Sequence, residues 1–468
     1  MNELTIALNL TSKIPLYEQI YQYIKDEIQT GKLTHGKKLP STRALSKHLE
    51  VSRSTVELAY EQLLSEGYIE SEPCRGYYVT QFEELYHIQN VSEQPLKVQE
   101  EKPIYRYDFS MSGVDLKSFP HQIWSRLSKE VLQDDQAQLS QSADAKGEYS
   151  FRCAICNYLH QARGVNATPD QVIIGAGSDY LFLLLSMIIG ERRTIAFENP
   201  TYMQAYHMAG QIGHERKAVA LDKYGISIEK LEESGADIAY VTPSHQYPTG
   251  IIMPMKRRTE LLKWAYQDET RFIIEDDYDS EFRYKGKPIP ALQGNGGQEK
   301  VIYMGTFSKS IAPAIRLGYM ILPQSLMKKY EENCGFIHST VSKIDQKIVQ
   351  RFIEEGHFER HLNKMRAMYR SRHDVLLEEL KEWGNLCTVS GENAGGHILL
   401  KFSNGWKEQE LIEKAKQNKI RIRGLSEYLI EEDTSEDATI LLGYANLTEE
   451  QIKDAVKELK KCWIDSII

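Results

Sequence analysis

The hydrophobic residues near the amino terminus recur at the spacing of an amphipathic helix. They share one helical face and are Tyr17, Ile20, Tyr21, Ile24 and Ile28. The pattern stops at Gly31, a residue type that favours helix ends because it tolerates the left-handed backbone conformation. The sequence therefore predicts a first helix that ends just before Gly31.

Two more short helices and a hairpin are predicted after it. Pro40 and Ser41 open a helix, and Val51 and Ser52 separate it from a third helix, for which Ser52 is a suitable N-cap residue. The run of residues 68–79 alternates and turns like a β-hairpin, with Arg75 near its tip. This order of elements is typical of a winged helix-turn-helix.

The rest of the chain has a different pattern. Residues 107–468 alternate β-rich runs with amphipathic helices, as in an α/β domain with a largely parallel sheet. Residues 81–106 carry several glutamates, Pro95 and little apolar periodicity, which predicts a solvated linker. The predicted organisation is a small domain at residues 1–80, a linker at 81–106 and a large domain at 107–468.

Composition and charge narrow the class of protein. The chain has 468 residues, of which 41% are hydrophobic and 26% charged, values typical of a globular protein. It shows neither a secretory signal nor an uncharged run of the roughly 18 residues that a membrane helix needs, so we expect a cytoplasmic protein. Cys153 and Cys156 have metal-ligand spacing, but they lie in a helical run without a second cysteine pair, so no metal site is predicted.

The basic residues are concentrated in one place. The formal net charge of -9 argues against nucleic-acid binding by the whole surface. Between residues 32 and 55, however, Glu50 is the only acidic residue, whereas the basic residues are Lys32, Lys37, Lys38, Arg43, Lys47 and Arg53. A local basic stretch on a winged helix is what a DNA-binding domain requires.

Two segments of the large domain predict parts of a phosphate-containing cofactor site. The apolar residues 171–174 are followed by Gly175, Ala176, Gly177 and Ser178 and then by an apolar helix, so backbone N–H groups and the helix dipole can meet a phosphate. The apolar run 271–274 leads into residues 275–278, which include Asp276. A carboxylate there can keep a pyridine nitrogen protonated. An acidic strand end that caps the next helix is the structural alternative.

A third segment supplies a reactive amine. The apolar run that begins at Val301 predicts a strand, and Thr306, Phe307, Ser308 and Lys309 lie at its end. Burial at the end of such a strand lowers the pKa of a lysine, which favours the neutral amine that forms a Schiff base with an aldehyde. Arg316, a short loop later, can bind a phosphate with both guanidinium nitrogens.

The first eighty residues resemble the GntR-type winged helix. The resemblance lies in the sequences LPSTRAL at 39–45, VSRSTV at 51–56 and EGYI at 66–69. It implies contacts with double-stranded DNA from Arg43, Arg53, Ser54, Thr55, Arg75 and Gly76. A winged helix that docks another protein, with its arginines in solvent, is the alternative.

Residues 107–468 resemble the aminotransferases of fold type I, which carry pyridoxal 5'-phosphate (PLP). The most specific matches are Thr306 to Lys309 with Arg316, and the sequence Pro-Thr-Gly at 248–250. The resemblance implies that Lys309 forms the internal aldimine, Asp276 pairs with the pyridine nitrogen, Tyr278 bonds the phenolic oxygen and Tyr202 stacks on the ring. The residues implied to hold the phosphate are Gly177, Ser178, Thr306 and Arg316. One departure is Tyr247, which replaces the asparagine that usually precedes Pro-Thr-Gly.

The two domains together resemble the MocR/GabR-type transcription regulators. The resemblance implies a homodimer whose DNA binding responds to PLP or to an adduct of PLP with an amino compound. GABA-responsive members grip a carboxylate with two arginines, and the corresponding places here hold Gln204 and Asn446. We therefore hypothesise that PLP itself is the signal, as in the PdxR-type branch that controls vitamin B6 synthesis, although Arg421 or Arg423 could restore a clamp.

Three other functions remain open from the sequence. The protein could sense a GABA-like compound or a D-alanyl dipeptide through a PLP external aldimine. It could be a catalytically active aminotransferase in which the DNA-binding domain is secondary, but the missing arginines argue against this. A scaffold without cofactor is disfavoured because Lys309, Asp276, Tyr278 and Arg316 are all present.

Overall fold

The chain forms two compact units, Met1–Lys102 and Pro103–Ile468. The structure, a computed structural model, describes residues 6–81, 104–111, 113–133, 139–284, 289–392, 394–403, 405–431 and 437–463. Most of the predicted linker at 81–106 lies outside the described residues. Its last residues, 104–106, are described. They belong to the second unit, where the Arg106 N–H donates to the Lys419 carbonyl at 2.8 Å.

The first unit contains three helices and a hairpin. They are α1 (Leu16–Gln29), α2 (Thr42–His48), α3 (Arg53–Ser65), β1 (Ile69–Glu72) and the antiparallel β2 (Gly76–Val79). Helix α1 buries Ile20, Ile24 and Ile28, on the face that the spacing predicts. The Ser52 hydroxyl caps α3 by accepting the Thr55 N–H at 3.2 Å. The prediction of a winged helix-turn-helix is confirmed.

The second unit is an α/β domain. Its helices are α4 (His121–Gln133), α5 (Tyr149–Arg163), α6 (Ser178–Ile189), α7 (Met203–Ile212), α8 (Ile228–Glu233), α9 (Met255–Tyr266), α10 (Gln324–Asn333), α11 (Lys343–Glu354), α12 (His357–Lys381), α13 (Glu408–Gln417) and α14 (Glu449–Trp463). Its strands are β3 (Tyr107–Asp108), β4 (Val172–Gly175), β5 (Thr194–Asn199), β6 (Glu215–Asp222), β7 (Gly225–Ile226), β8 (Ile238–Val241), β9 (Phe272–Asp277), β10 (Val301–Thr306), β11 (Gly318–Ile321), β12 (Cys387–Ser390), β13 (His397–Phe402), β14 (Ile420–Arg421), β15 (Arg423–Gly424) and β16 (Ala438–Gly443).

An eight-stranded sheet organises this domain. Its order is β4-β11-β10-β9-β8-β5-β6-β7, and the adjacent strands from β10 to β6 pair in parallel. Strand β11 is antiparallel to both β10 and β4, so β4 runs in the same direction as β10. The carboxyl ends of β4, β5, β8, β9 and β10 therefore meet at one edge, where α/β folds bind ligands.

Both faces of the sheet are covered, which explains its continuous apolar strands. On β9, Phe272 and Ile274 enter a buried cluster with Leu181 of α6, whereas Ile273 enters another cluster with Trp264 of α9. A smaller sheet of order β12-β13-β16-β15 follows towards the carboxyl terminus. The fold predicted for the large domain is confirmed.

Three further features bear on the sequence analysis. The six cysteines are free thiols, with Cys74 exposed in the turn between β1 and β2, and Cys153 and Cys156 lie in α5. Within the described ranges, no group of His, Cys, Asp or Glu side chains could hold a metal ion. None of the described helices is both long and apolar enough to cross a membrane.

Candidate functional site

A cavity of about 410 Å³ lies at the carboxyl edge of the large sheet. It is lined by Met111, Ser178, Asp179, Tyr202, Gln204, Thr242, Tyr247, Asp276, Tyr278, Thr306, Ser308, Lys309, Pro313 and Arg316. A larger cavity of about 780 Å³ borders α5 and α12 and is lined by none of the residues predicted to bind the cofactor. Because the smaller cavity is lined by the predicted cofactor-binding residues, it is the candidate site.

Lys309 enters the cavity from the end of β10. The strand is buried almost throughout, and the Lys309 ammonium donates a hydrogen bond to the Met111 carbonyl. Burial lowers the pKa of Lys309 from 10.5 to about 8, while the Asp279 carboxylate opposes this shift. A substantial fraction of the amine is therefore neutral, and hence nucleophilic, at mildly alkaline pH.

Asp276 lies at the end of the neighbouring strand β9. It is 9% exposed and accepts a hydrogen bond from the Tyr240 hydroxyl. Burial raises the pKa of Asp276 to about 6, and the Tyr240 hydrogen bond opposes the rise. The group is thus mostly an anion at neutral pH, and an anion is what a protonated pyridine nitrogen needs as its partner.

Three of the residues predicted to bind the phosphate, Ser178, Thr306 and Arg316, also line the cavity. Ser178 is the first residue of α6, Thr306 ends β10, and Arg316 donates to the Ala176 carbonyl and to Asp179, both at 3.2 Å. Gly177 has a φ of +87°, and a Cβ placed on it would lie 2.8 Å from the Arg316 guanidinium. The positive φ favours glycine here, and a side chain at this position would displace the Arg316 guanidinium.

Aromatic rings form the remaining wall. The Tyr247 ring packs edge-on against Tyr202, Tyr278 and Tyr428, with centroid separations of 5.6, 5.3 and 5.5 Å. Tyr202 and Tyr278 line the cavity, as their predicted cofactor contacts require. Tyr247 places a ring where the usual asparagine would offer an amide.

The positions that bear on effector binding fall into two groups. Gln204 lines the cavity, and its amide donates to Asp179 at 2.8 Å. Asn446 is exposed, lies against Gly113 and is not among the described lining residues of this cavity. Arg421 and Arg423 are paired with Asp108 and Glu427, and neither is among the described lining residues.

The groups around the cavity fit PLP. They comprise a buried amine of lowered pKa, a buried carboxylate, a phenol, aromatic rings and a glycine-arginine corner at the N-terminus of α6. Four groups at or next to the cavity were not predicted from the sequence: Asp179, Thr242, Tyr240 and the Met111 carbonyl. Asp179 had a detectable signal, because it follows the predicted phosphate-binding turn directly, whereas the other three gave none.

The predicted DNA-binding residues lie on the surface of the first unit. Arg53, Ser54 and Thr55 form the first turn of α3, and the hydroxyls of Ser54 and Thr55 lie 2.8 and 2.7 Å from the Ser52 hydroxyl. Arg43 is exposed on α2.

The hairpin carries the remaining two predicted contacts. Arg75 lies in its turn and Gly76 begins β2. The side chains of Arg53 and Arg75 are 65% and 75% exposed, although each pairs with a glutamate of its own element.

Comparisons with known proteins match two parts of the chain to two different families. Residues 16–79 match the family described as bacterial regulatory proteins, gntR family, and residues 115–459 match aminotransferase class I and II. The uncharacterized HTH-type transcriptional regulator YdeL of Bacillus subtilis (strain 168) is 39% identical over 98% of this chain and 99% of its own.

Two relatives with more informative names also span the whole chain. The probable rhizopine catabolism regulatory protein MocR of Rhizobium meliloti is 29% identical over 98% of this chain and 96% of its own. The HTH-type pyridoxine biosynthesis transcriptional regulator PdxR of Corynebacterium glutamicum is 29% identical over 98% of both chains.

A solved structure supports the fold of the large domain. Kynurenine aminotransferase of Pyrococcus horikoshii, solved in complex with PMP, superposes with a TM-score of 0.68 at 23% identity, covering 79% of this chain and 93% of its own. The aminotransferase class I and II fold implies PLP as the cofactor. The chain belongs to the aminotransferase class I and II family and, through its gntR-type amino-terminal domain, to the MocR-type transcriptional regulators.

Proposed function

We propose that this regulator senses PLP itself and controls vitamin B6 synthesis genes, acting as a homodimer on a double-stranded DNA operator. The similarity to a pyridoxine biosynthesis regulator over the full chain supports the choice of genes. The observation that carries the choice of effector is the absence of a free arginine for an amino-acid carboxylate in the described wall of the cavity.

The cavity residues have distinct roles in this proposal. Lys309 would hold PLP covalently, Asp276 would keep a proton on the ring nitrogen, and Tyr202 and Tyr278 would fix the ring. The phosphate would be held by Gly177, Ser178, Thr306 and Arg316. PLP supplies the aldehyde and an electron-withdrawing ring, while the protein binds and orients it.

The charges around the cavity disfavour an amino-acid effector. Among the described lining residues the cations are Lys309 and Arg316, and both have a role toward PLP. Gln204 is neutral and already donates to Asp179. A neutral amide lacks most of the strength of a charged arginine fork toward a carboxylate, so an amino acid would bind poorly.

A gel-shift experiment tests the regulator. We expect the protein to bind its own upstream region or a vitamin B6 synthesis promoter with an affinity that changes on addition of PLP. Arg53→Ala is the control for the DNA side and should weaken operator binding by about 1 to 3 kcal/mol if Arg53 contacts a base. An affinity that is the same with and without PLP would contradict the proposal.

The same preparation distinguishes the effector. Titration of the PLP-loaded protein with GABA, alanine and glutamate should leave the cofactor absorbance unchanged. A saturable spectral shift with any of them would show that the protein senses an amino compound. Steady turnover of an amino donor and a keto acid would instead indicate an active aminotransferase.

The lowered pKa of Lys309 predicts a pH dependence of cofactor loading. Only the neutral amine attacks an aldehyde, so the rate at which PLP loads the cofactor-free protein should rise with pH, with a midpoint near 8. Stopped-flow absorbance at a series of pH values measures this rate. A midpoint near 10.5, the value of an ordinary lysine, would show that burial does not act on this amine.

A further inference from the structure

Beside Tyr278 lies a buried polar pair to which the proposed function assigns no role. His245 follows β8 and Asp279 follows β9, and neither lines the 410 Å³ cavity. The Nδ1 atom of His245 lies 2.9 Å from Asp279 Oδ2 and 3.0 Å from the Tyr278 hydroxyl. His245 and Asp279 are 2% and 5% exposed. One ring nitrogen therefore faces two oxygen atoms in a buried site.

The Asp279 carboxylate determines which nitrogen of His245 carries the proton. A carboxylate oxygen only accepts hydrogen bonds, so this contact requires a proton on Nδ1. The same tautomer leaves Nε2 as a lone pair, and Nε2 is buried without a hydrogen-bond partner among the described residues. The alternative would bury an N–H without an acceptor, an arrangement that is rare in proteins.

This tautomer determines what Tyr278 does with its own proton. When Nδ1 donates, the Tyr278 oxygen can accept from it, and the Tyr278 proton is free to be donated into the cavity. In the opposite tautomer, Nδ1 would be an acceptor, and the Tyr278 hydroxyl would donate its hydrogen bond to Nδ1 instead. Because Tyr278 lines the cavity, the tautomer of His245 decides whether the cavity has a donor at this point.

The neighbouring tyrosine does not replace that donor. The Tyr247 hydroxyl is hydrogen bonded to Tyr428, and its ring stands edge-on to Tyr278. The titratable groups that face Tyr278 are Asp276, Asp277, Asp279, Tyr247 and His245, and Lys309 and His397 lie around an adjoining small void. Of these, His245 makes the hydrogen bond to the Tyr278 hydroxyl.

The backbone around the pair is fitted to it. Gly395 has a φ of +78°, and a Cβ there would lie 2.2 Å from His245 Cε1 and 2.8 Å from Asp279 Oδ2. The Gly395 carbonyl accepts hydrogen bonds from Tyr284 and, at 2.9 Å, from Tyr444. The glycine is therefore held against His245 and Asp279 with no room for a side chain.

We propose that His245 and Asp279 are positioning residues for the cofactor: Asp279 fixes the tautomer of His245, and Tyr278 is then free to donate a hydrogen bond to the phenolic oxygen of PLP. The inference deepens the proposed function and rests on its cofactor site. It does not depend on which genes the protein controls.

The variant Asp279→Asn tests the inference with little change of shape. Its amide can donate to Nδ1 and so favours the opposite tautomer. The phenolic oxygen of PLP then loses the hydrogen bond from Tyr278. Without that hydrogen bond, the proton shared between this oxygen and the Lys309 nitrogen would be held more tightly, so the pH midpoint of the bound-PLP absorbance should rise by about one unit. Asp279→Ser also removes the carboxylate that fixes the tautomer, should shift the midpoint in the same direction, and serves if the first variant does not fold.

Two controls make the result specific. His214 is also buried and also has an Nε2 without a partner among the described residues, but it lies at the start of β6 and lines no part of the cavity. His214→Phe should leave the midpoint unchanged. In a Tyr278→Phe background, adding Asp279→Asn should cause no further rise, because the rise depends on the hydrogen bond of the tyrosine.

The possible results distinguish a failure of the role proposed for His245 and Asp279 from a failure of the cofactor site itself. An unchanged midpoint in Asp279→Asn, or a full further rise in the Tyr278→Phe background, would overturn the inference. A fall of the midpoint in Asp279→Asn would also overturn it, because that is the direction in which loss of the Asp279 charge acts directly on the Lys309 amine. If the unmodified protein showed no PLP absorbance at all, the proposed cofactor site itself would fail.

Discussion

Lys309→Ala is expected to abolish the covalent retention of PLP. Purified protein should lose its yellow colour, and borohydride reduction should leave no pyridoxyl adduct at this position. The reason is chemical: a Schiff base requires an amine, and Lys309 is the lysine that lines the described cavity. Mass spectrometry of the reduced and digested protein measures the effect.

Lys300 provides a matched control. It is a second buried lysine at the opposite end of β10, where its ammonium donates to the carbonyls of Asp268 and Glu269 at 2.8 and 3.1 Å. Lys300→Ala should keep the adduct on Lys309. An adduct that persists in Lys309→Ala would show that another amine holds the cofactor. The proposed site would then be incorrect.

Arg163→Met is expected to cost roughly 3 to 5 kcal/mol of stability. The Arg163 guanidinium donates to Asp277 at 2.8 Å, and the two side chains are only 4% and 3% exposed. Its other partners are the Ile289 carbonyl and the Ser244 hydroxyl. Removing the arginine leaves a buried carboxylate on β9 without its counterion, directly beside Asp276. Denaturant unfolding followed by circular dichroism measures the loss.

A second substitution tests the cause of that loss. The double variant Arg163→Met with Asp277→Asn removes the unpaired charge and should recover most of the stability. Arg258 is a matched control, because it is also buried but donates to the carbonyls of Met253, Pro290 and Pro243. Arg258→Met should gain much less from Asp277→Asn, because Asp277 acts on Arg258 through its charge and makes no hydrogen bond to it among the described residues. Equal recovery in both backgrounds would argue against the ion pair as the cause.

Features set by nearby residues could be predicted from the sequence. The cap at Ser52, the buried face of α1 and the lysine that follows β10 all depend on residues a few positions apart. Strand β9 is longer than its apolar run suggests. It continues through Glu275 and Asp277, because distant groups satisfy these carboxylates: the backbone N–H groups of Leu292 and Gln293, and Arg163.

Features that join distant segments could not be predicted. The Met111 carbonyl that accepts the Lys309 hydrogen bond is 198 positions away, and the pairing of His245 with Asp279 depends on two neighbouring parallel strands. The surroundings of Asn446 are a further example. Its position after β16 gives its order in the chain but not the side of the cavity on which it lies, and the structure places it against Gly113.

The exposed Cys74 thiol is a site for selective chemical labelling of the hairpin. Of the six thiols it is the one classed as exposed, and it directly precedes Arg75 in the turn between β1 and β2. A maleimide dye would therefore attach preferentially at the tip of the wing, with no engineered cysteine needed. Its fluorescence would report the approach of a duplex to this hairpin separately from events around the cofactor.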